Sequence, residues 1–130
     1  MKNQLSFYES KLAYELDASD LFNALKDGQA IIVIDSRTPD FYQAEHIPNA
    51  INMPHRTMSE ATTSHLDKQF LYVVYCDGVG CNASTKGAYN LVKLGFQVKE
   101  LIGGIAWWKL EGFETIGTQG AAGIPIVCGC

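Results

Sequence analysis

Hydrophobic and polar positions along the chain alternate between two rhythms. Ile31-Ile32-Val33-Ile34-Asp35 and Leu71-Tyr72-Val73-Val74-Tyr75 are short runs of β-branched, aliphatic and aromatic residues. Such runs predict strands buried on both faces, as in parallel sheets. Ile51-Asn52-Met53 predicts a shorter strand stopped by Pro54, and Phe96 to Leu101 a last strand with partial alternation. Helical spacing fills the intervals. Leu21, Phe22 and Leu25 share one face of a short helix that Ser19 can cap and Gly28 ends. Thr38-Pro39 opens a helix over Asp40 to about Ala44, with Thr38 as N-cap and proline at the first helical position.

Ser59 to Leu66 is a weaker helical segment, and Gly103-Gly104 turns the chain into a short helix over Ile105 to Lys109. The most regular stripe is Ala83, Gly87, Ala88, Leu91 and Leu94, closed by Gly95 where a left-handed residue would end a helix. At the start, Leu5, Tyr8, Leu12 and Leu16 suit an amphipathic helix or docked arm. Strands alternating with helices, without an internal repeat, predict one α/β domain with a mainly parallel sheet. The expected division is an N-terminal arm or helix packed on the domain (1–15), the domain itself (16–117), and a Gly/Ala-rich tail (118–130) mobile in its middle.

Composition changes this picture little. The 130 residues are 47% hydrophobic and 18% charged, ordinary for one globular domain. A net charge of −4 gives no reason to expect a nucleic-acid or membrane surface. No apolar run approaches the roughly 18 residues of a membrane span. The first residues, MKNQLSFYESKLAYEL, do not read as a signal peptide. The expected compartment is the cytoplasm, where thiols stay reduced.

The chemistry concentrates at Cys76-Asp77-Gly78-Val79-Gly80-Cys81-Asn82, between the Leu71 strand and the Ala83 helix. Ligands of parallel α/β sheets bind beyond the carboxyl ends of the strands, and both Cys76 and Asp35 fall there. Unpaired amides of the turn and of the helix start favour negative charge, and would lower the pKa of a thiol at their rim. Two readings stand open: a reactive thiolate, or a buried core cysteine before an ordinary turn. The four cysteines, Cys76, Cys81, Cys128 and Cys130, lack the usual C-x2–4-C zinc knuckle. No metal and no cofactor are therefore expected.

Several stretches in order resemble the rhodanese domain. Ile34-Asp35-Ser36-Arg37 followed by Glu45-His46-Ile47-Pro48-Asn49-Ala50-Ile51-Asn52-Met53-Pro54 is similar to its D-x-R … GHIPGAINIP signature. Val74-Tyr75-Cys76 resembles the strand leading into its nucleophile. Leu94-Gly95-Phe96, Leu101-Ile102-Gly103-Gly104 and Trp108 resemble its LGF … L-x-GG … W ending. The similarity runs from about Leu16 to Phe113. It implies a five-stranded, mainly parallel sheet with helices on both faces and an active loop after the fourth strand. It also implies sulfur transfer. The Cys76 thiolate attacks a small-molecule donor such as thiosulfate or a persulfide, becomes a cysteine persulfide, and passes sulfur to a thiol or protein acceptor. The amides of residues 77 to 82 would cradle the persulfide anion.

The loop departs from that pattern. It is longer and carries no arginine, Asp77 adds a negative charge, and Asn82 stands where related phosphatase-like members place an arginine. Bidentate anchoring of phosphate is therefore disfavoured. Arg56, just past the Met53 strand, is the candidate substitute, with a solvated surface arginine as the alternative. Asp35 and Arg37 either face the site or form a structural ion pair. His46 is expected to bond locally before Pro48, Trp107 and Trp108 to pack, and Gly103-Gly104 to allow a close backbone approach beside the loop.

Cys81 either resolves an oxidised or persulfidated Cys76 or packs as a small apolar residue. Cys128 and Cys130 could serve the same end from the tail. Rival readings are a non-catalytic rhodanese-like binding module, and a thiol redox or metal-binding protein using Cys76, Cys81, Cys128 and Cys130.

Overall fold

The fold was taken from a computed structural model, which describes residues 2–123. Five strands form one sheet: β1 (Glu15–Leu16), β2 (Ile31–Asp35), β3 (Ile51–Asn52), β4 (Leu71–Tyr75) and β5 (Gln97–Leu101). Their order is β1-β5-β4-β2-β3, and every pairing is parallel. The two longest apolar runs, β2 and β4, lie side by side at the centre, with Asp35 opposite Tyr75. Helices cover both faces: α1 (Lys2–Tyr14), α2 (Ala18–Lys26), α3 (Pro39–Ala44), α4 (Glu60–Thr63), α5 (Ala83–Lys93) and α6 (Gly104–Leu110).

Side chains of successive strand residues point to opposite faces, so the centre strands feed two cores. Val33, Val73 and Tyr75 join Leu21, Ile47, Trp108 and Phe113 on one face. Ile34, Tyr72 and Val74 join Leu91, Phe96 and Val98 on the other. This two-sided burial is why neither strand alternates polar with apolar residues.

The elements differ from the sequence reading in detail. The first helix stops at Tyr14, and Glu15–Leu16 pair with Glu100–Leu101 as an edge strand. A two-residue strand carries no periodicity and exists only through its partner. All of α1 is solvent-exposed. Asp17, not Ser19, caps α2, its carboxylate accepting from the Asp20 amide at 2.8 Å. The Ser59 segment shortens to one turn, held by a reciprocal cap in which Ser59 Oγ accepts from the Thr62 amide.

The start of the tail is pinned rather than loose. The amides of Thr118 and Gln119 donate to the carbonyls of Gln43 and Ala44, and Thr115 and Ala121 bond each other. Cys128 and Cys130 lie outside the described residues.

Asn49 and Gly104, both at positive φ, help to position the site. Asn49, at φ 66°, takes the left-handed turn before β3, which asparagine tolerates better than most residues. Gly104, at φ 58°, starts α6 directly against the chain after Cys76. A Cβ there would run into the Cys76 carbonyl oxygen.

Candidate active site

Cys76 follows β4 with only 2% of its surface exposed. Its carbonyl accepts from the Ile105 amide at 3.0 Å, and that of Asp77 accepts from the Ala106 amide at 2.9 Å. The first turn of α6 thus clamps the backbone that carries the cysteine, and Gly103-Gly104 make the approach that the sequence reading expected. Beyond the clamp the loop curls back. Gly80 takes φ 93°, and the Cys81 amide donates to the Gly78 carbonyl at 3.2 Å. The turn brings the Cα atoms of Cys76 and Cys81 to 6.3 Å, and their sulfurs form a disulfide.

A cavity of about 270 Å³ opens beside this pair. Ser36, Arg37, Thr38, His55, Arg56 and Asp77 supply its polar lining, and Phe41 and Pro54 part of its apolar wall. The turn His55–Thr57 is held against α5 by Asn90, whose amide donates to the His55 carbonyl at 2.9 Å. His55 and the exposed Arg56 therefore reach the pocket, whereas Asp35 does not line it. Burial, with Lys86 and Arg56 nearby, pushes the His55 imidazole below its ordinary value. Arg37 and Arg56 bring positive charge to the wall.

Beneath the pocket runs a fully satisfied polar network. Asp35 is completely buried. Arg37 grips its carboxylate through Nε at 3.0 Å and Nη2 at 2.8 Å, and Tyr75 donates its phenol to Asp35 Oδ2 at 2.7 Å. The Tyr75 oxygen in turn accepts from the Ile47 amide at 3.1 Å. Burial, then the Asp35 carboxylate, pushes the Tyr75 phenol far above its ordinary value, so it remains a donor. For Arg37, burial opposes the charge, but the bonds to Asp35 and Asp77 outweigh it. Asn52 fastens the same corner, donating to the carbonyls of Asp35 and Arg37.

Asp77 is not a free negative charge on the loop. Arg37 Nη1 lies 3.1 Å from its Oδ1 and neutralises it. Arg37 is thus both the partner of Asp35 and part of the cavity lining, so the two alternatives for this residue coexist. His46 bonds locally, its Nδ1 2.8 Å from the Tyr42 carbonyl and its ring stacked on that of Tyr42. Trp108 is buried, and Trp107 lies half-exposed on the surface.

Of the loop residues, Cys81 and Gly78 are half-buried, while Asp77, Val79, Gly80 and Asn82 are exposed. Tyr75, Ser36 and Asn52 join the site without a motif of their own in the sequence to mark them. The available signal was Tyr75 itself, since a phenol in a strand buried on both faces must find a partner.

A family profile, the rhodanese-like domain, matches residues 17–111. The chain belongs to the rhodanese-like domain family. The thiosulfate sulfurtransferase GlpE of Coxiella burnetii is 37% identical over 81 residues, spanning 61% of this chain and 72% of that protein. A sulfurtransferase of Allochromatium vinosum is 29% identical over 107 residues, spanning 82% of this chain and 97% of that one. Among solved structures, the BH2092 protein of Bacillus halodurans superposes with a TM-score of 0.86 at 43% identity, covering 92% of this chain and 88% of its own. The rhodanese-like domain of an Anabaena protein gives a TM-score of 0.71 at 31% identity, covering 87% and 90%. The five-stranded parallel sheet is thus the rhodanese-like fold, and the two curated relatives named above are both sulfurtransferases.

Cys76, Asp77 and Cys81 bring potential metal-ligand atoms within 4.8 Å of one another. Both sulfurs are committed to the disulfide, so the oxidised loop offers no thiolate to a metal. Among the described residues no helix is long and apolar enough to cross a membrane.

Proposed function

We propose that this rhodanese-like protein transfers sulfane sulfur through Cys76. In the reduced loop the Cys76 thiolate attacks the outer sulfur of a small anionic donor such as thiosulfate. The sulfur–sulfur bond of the donor breaks, sulfite leaves with the electron pair, and Cys76 carries a persulfide. A thiol acceptor then takes that sulfur. The observation that carries the reading is the setting of Cys76: a nearly buried thiol at the end of the central strand, against a small cavity with arginine in its wall.

Arg37 is committed to Asp35 and Asp77, which leaves Arg56 as the cation able to meet an incoming dianion. Of the amides of residues 77 to 82, all but that of Cys81, which the Gly78 carbonyl holds, would serve the persulfide anion once the disulfide is opened.

The test is mass spectrometry of the fully reduced protein after thiosulfate treatment, alongside sulfite release. One added sulfur mapped to Cys76, absent from Cys76→Ser, is expected. Turnover by Cys76→Ser comparable to that of the unaltered protein would overturn the assignment.

A further inference from the structure

The loop holds a second sulfur beside the first. Cys81 is five residues from Cys76, within the Cα separation of about 4.4–6.8 Å that disulfides occupy. Two features of the loop's own backbone and one contact from α6 produce this approach. They are the bond from the Cys81 amide to the Gly78 carbonyl, the left-handed turn at Gly80, and the clamp of α6 on Cys76 and Asp77.

An acceptor from solution must reach a cysteine that is 2% exposed, through a cavity of about 270 Å³. Cys81 is already there. A tethered nucleophile reacts at a high effective concentration, so the internal thiol has the advantage over a free one.

Resting on the sulfur-transfer reading above, we infer that Cys81 is the chain's own acceptor and that the product is sulfide. In the first step Cys76 gains the sulfane sulfur and sulfite leaves. In the second, the Cys81 sulfur attacks Sγ of the persulfidated Cys76. The Cys76–sulfane bond breaks, the leaving sulfur takes the bonding pair and the Cys81 proton, and hydrosulfide departs. The two cysteines are together oxidised by two electrons, and the sulfane sulfur is reduced by two.

The Cys76–Cys81 disulfide in the structure is the state this step leaves behind. It is reset by a dithiol reductant, a small molecule or a protein carrying paired cysteines. Of the two residues, Cys81 is the half-buried one and Cys76 the buried one, so the reductant attacks Cys81 and expels Cys76 as thiolate. The second thiol of the reductant then frees Cys81. Over one cycle, thiosulfate and a dithiol become sulfite, hydrogen sulfide and a disulfide.

The experiment is a single turnover without external thiol. Protein carrying Cys128→Ser and Cys130→Ser is reduced, stripped of reductant under anaerobic conditions, and mixed with thiosulfate. Sulfite, sulfide, intact mass and the peptide map are followed. Sulfide equal to sulfite, rising together with a Cys76–Cys81 disulfide, is the expected result. Adding Cys81→Ser should abolish sulfide release and leave the sulfur on Cys76. Persulfide persisting on Cys76 while Cys81 stays a free thiol overturns the inference but leaves the sulfurtransferase reading standing. So does undiminished sulfide from the Cys81→Ser protein. If no sulfite appears from any of these proteins, the sulfurtransferase reading fails first, and the inference with it. Should Cys81→Ser not fold, the protein retaining Cys81 decides the matter alone.

Discussion

Arg37 and Asp77, forty residues apart, meet at 3.1 Å above the carboxyl ends of β2 and β4. Asp77 is more than half exposed, yet its partner is anchored in the core by the Asp35 carboxylate. The loop after Cys76 is therefore tied to the central strand pair through one guanidinium. Truncating that guanidinium leaves Asp35 buried and unpaired, and breaking a buried pair this way costs about 3–5 kcal/mol. Arg37→Ala should show a loss of that size in urea unfolding. Asp77→Asn, which removes only the exposed end, should lose no more than about 1 kcal/mol. Equal losses would show that the network does not rest on Asp35.

The Tyr75 phenol serves two partners, donating to Asp35 and accepting from the Ile47 amide. Tyr75→Phe keeps the ring, strands the Ile47 amide and removes one donor from the Asp35 carboxylate, which Arg37 still holds. The expected cost is about 1–3 kcal/mol, the range for leaving a buried polar group unsatisfied. A substitution neutral to thermal and chemical unfolding would mean that water replaces the hydroxyl there.

Two glycines of similar dihedral angle should respond differently to alanine. Gly28, at φ 75°, has open space where a Cβ would stand, so Gly28→Ala carries only the left-handed backbone penalty of about 1–2 kcal/mol. At Gly104, φ 58°, the added Cβ also meets the backbone of Cys76, Asp77 and Gly78. Gly104→Ala should exceed Gly28→Ala in destabilisation and speed alkylation of reduced Cys76, because α6 must back away from the loop that buries it. Equal effects on both readouts would remove the clamp from the account.

Acid should weaken one link between α3 and the segment after α6. Burial disfavours the charge of Glu45, but its bonds from Lys109 and Thr115 prevail, and its carboxyl titrates below its ordinary value of 4.5. A depressed folded-state pKa contributes stability that is complete above the unfolded value and is lost as pH falls through the folded one. Stability measured from pH 7 downward should therefore be flat in this respect until about pH 4.5 and then fall, with a shallower decline in Glu45→Gln. A decline as steep in Glu45→Gln would assign the acid sensitivity to other carboxylates.

The sequence alone determined what is periodic or punctuated locally. The apolar runs of β2 and β4 cannot be satisfied except between two layers, and the Ala83–Leu94 stripe closed by Gly95 can be little else than a helix. With strands and helices alternating, a parallel sheet followed, and Cys76 fell at the carboxyl end of a strand. The ordered motifs from Asp35 to Trp108 supplied the family. Contact across the chain was not legible in the same way. The edge strand Glu15–Leu16 exists only because β5 offers it backbone partners.

Asp77 read as an added negative charge because nothing near it in sequence is basic, whereas parallel register sets Asp35 beside Tyr75 and carries Arg37 to the loop. That the exposed Arg56 lines the cavity depends on Asn90 holding the preceding turn to α5. Periodicity reports the environment of a residue averaged over its own element. A site assembled from the ends of separate strands depends on register and helix packing, which only the folded chain supplies.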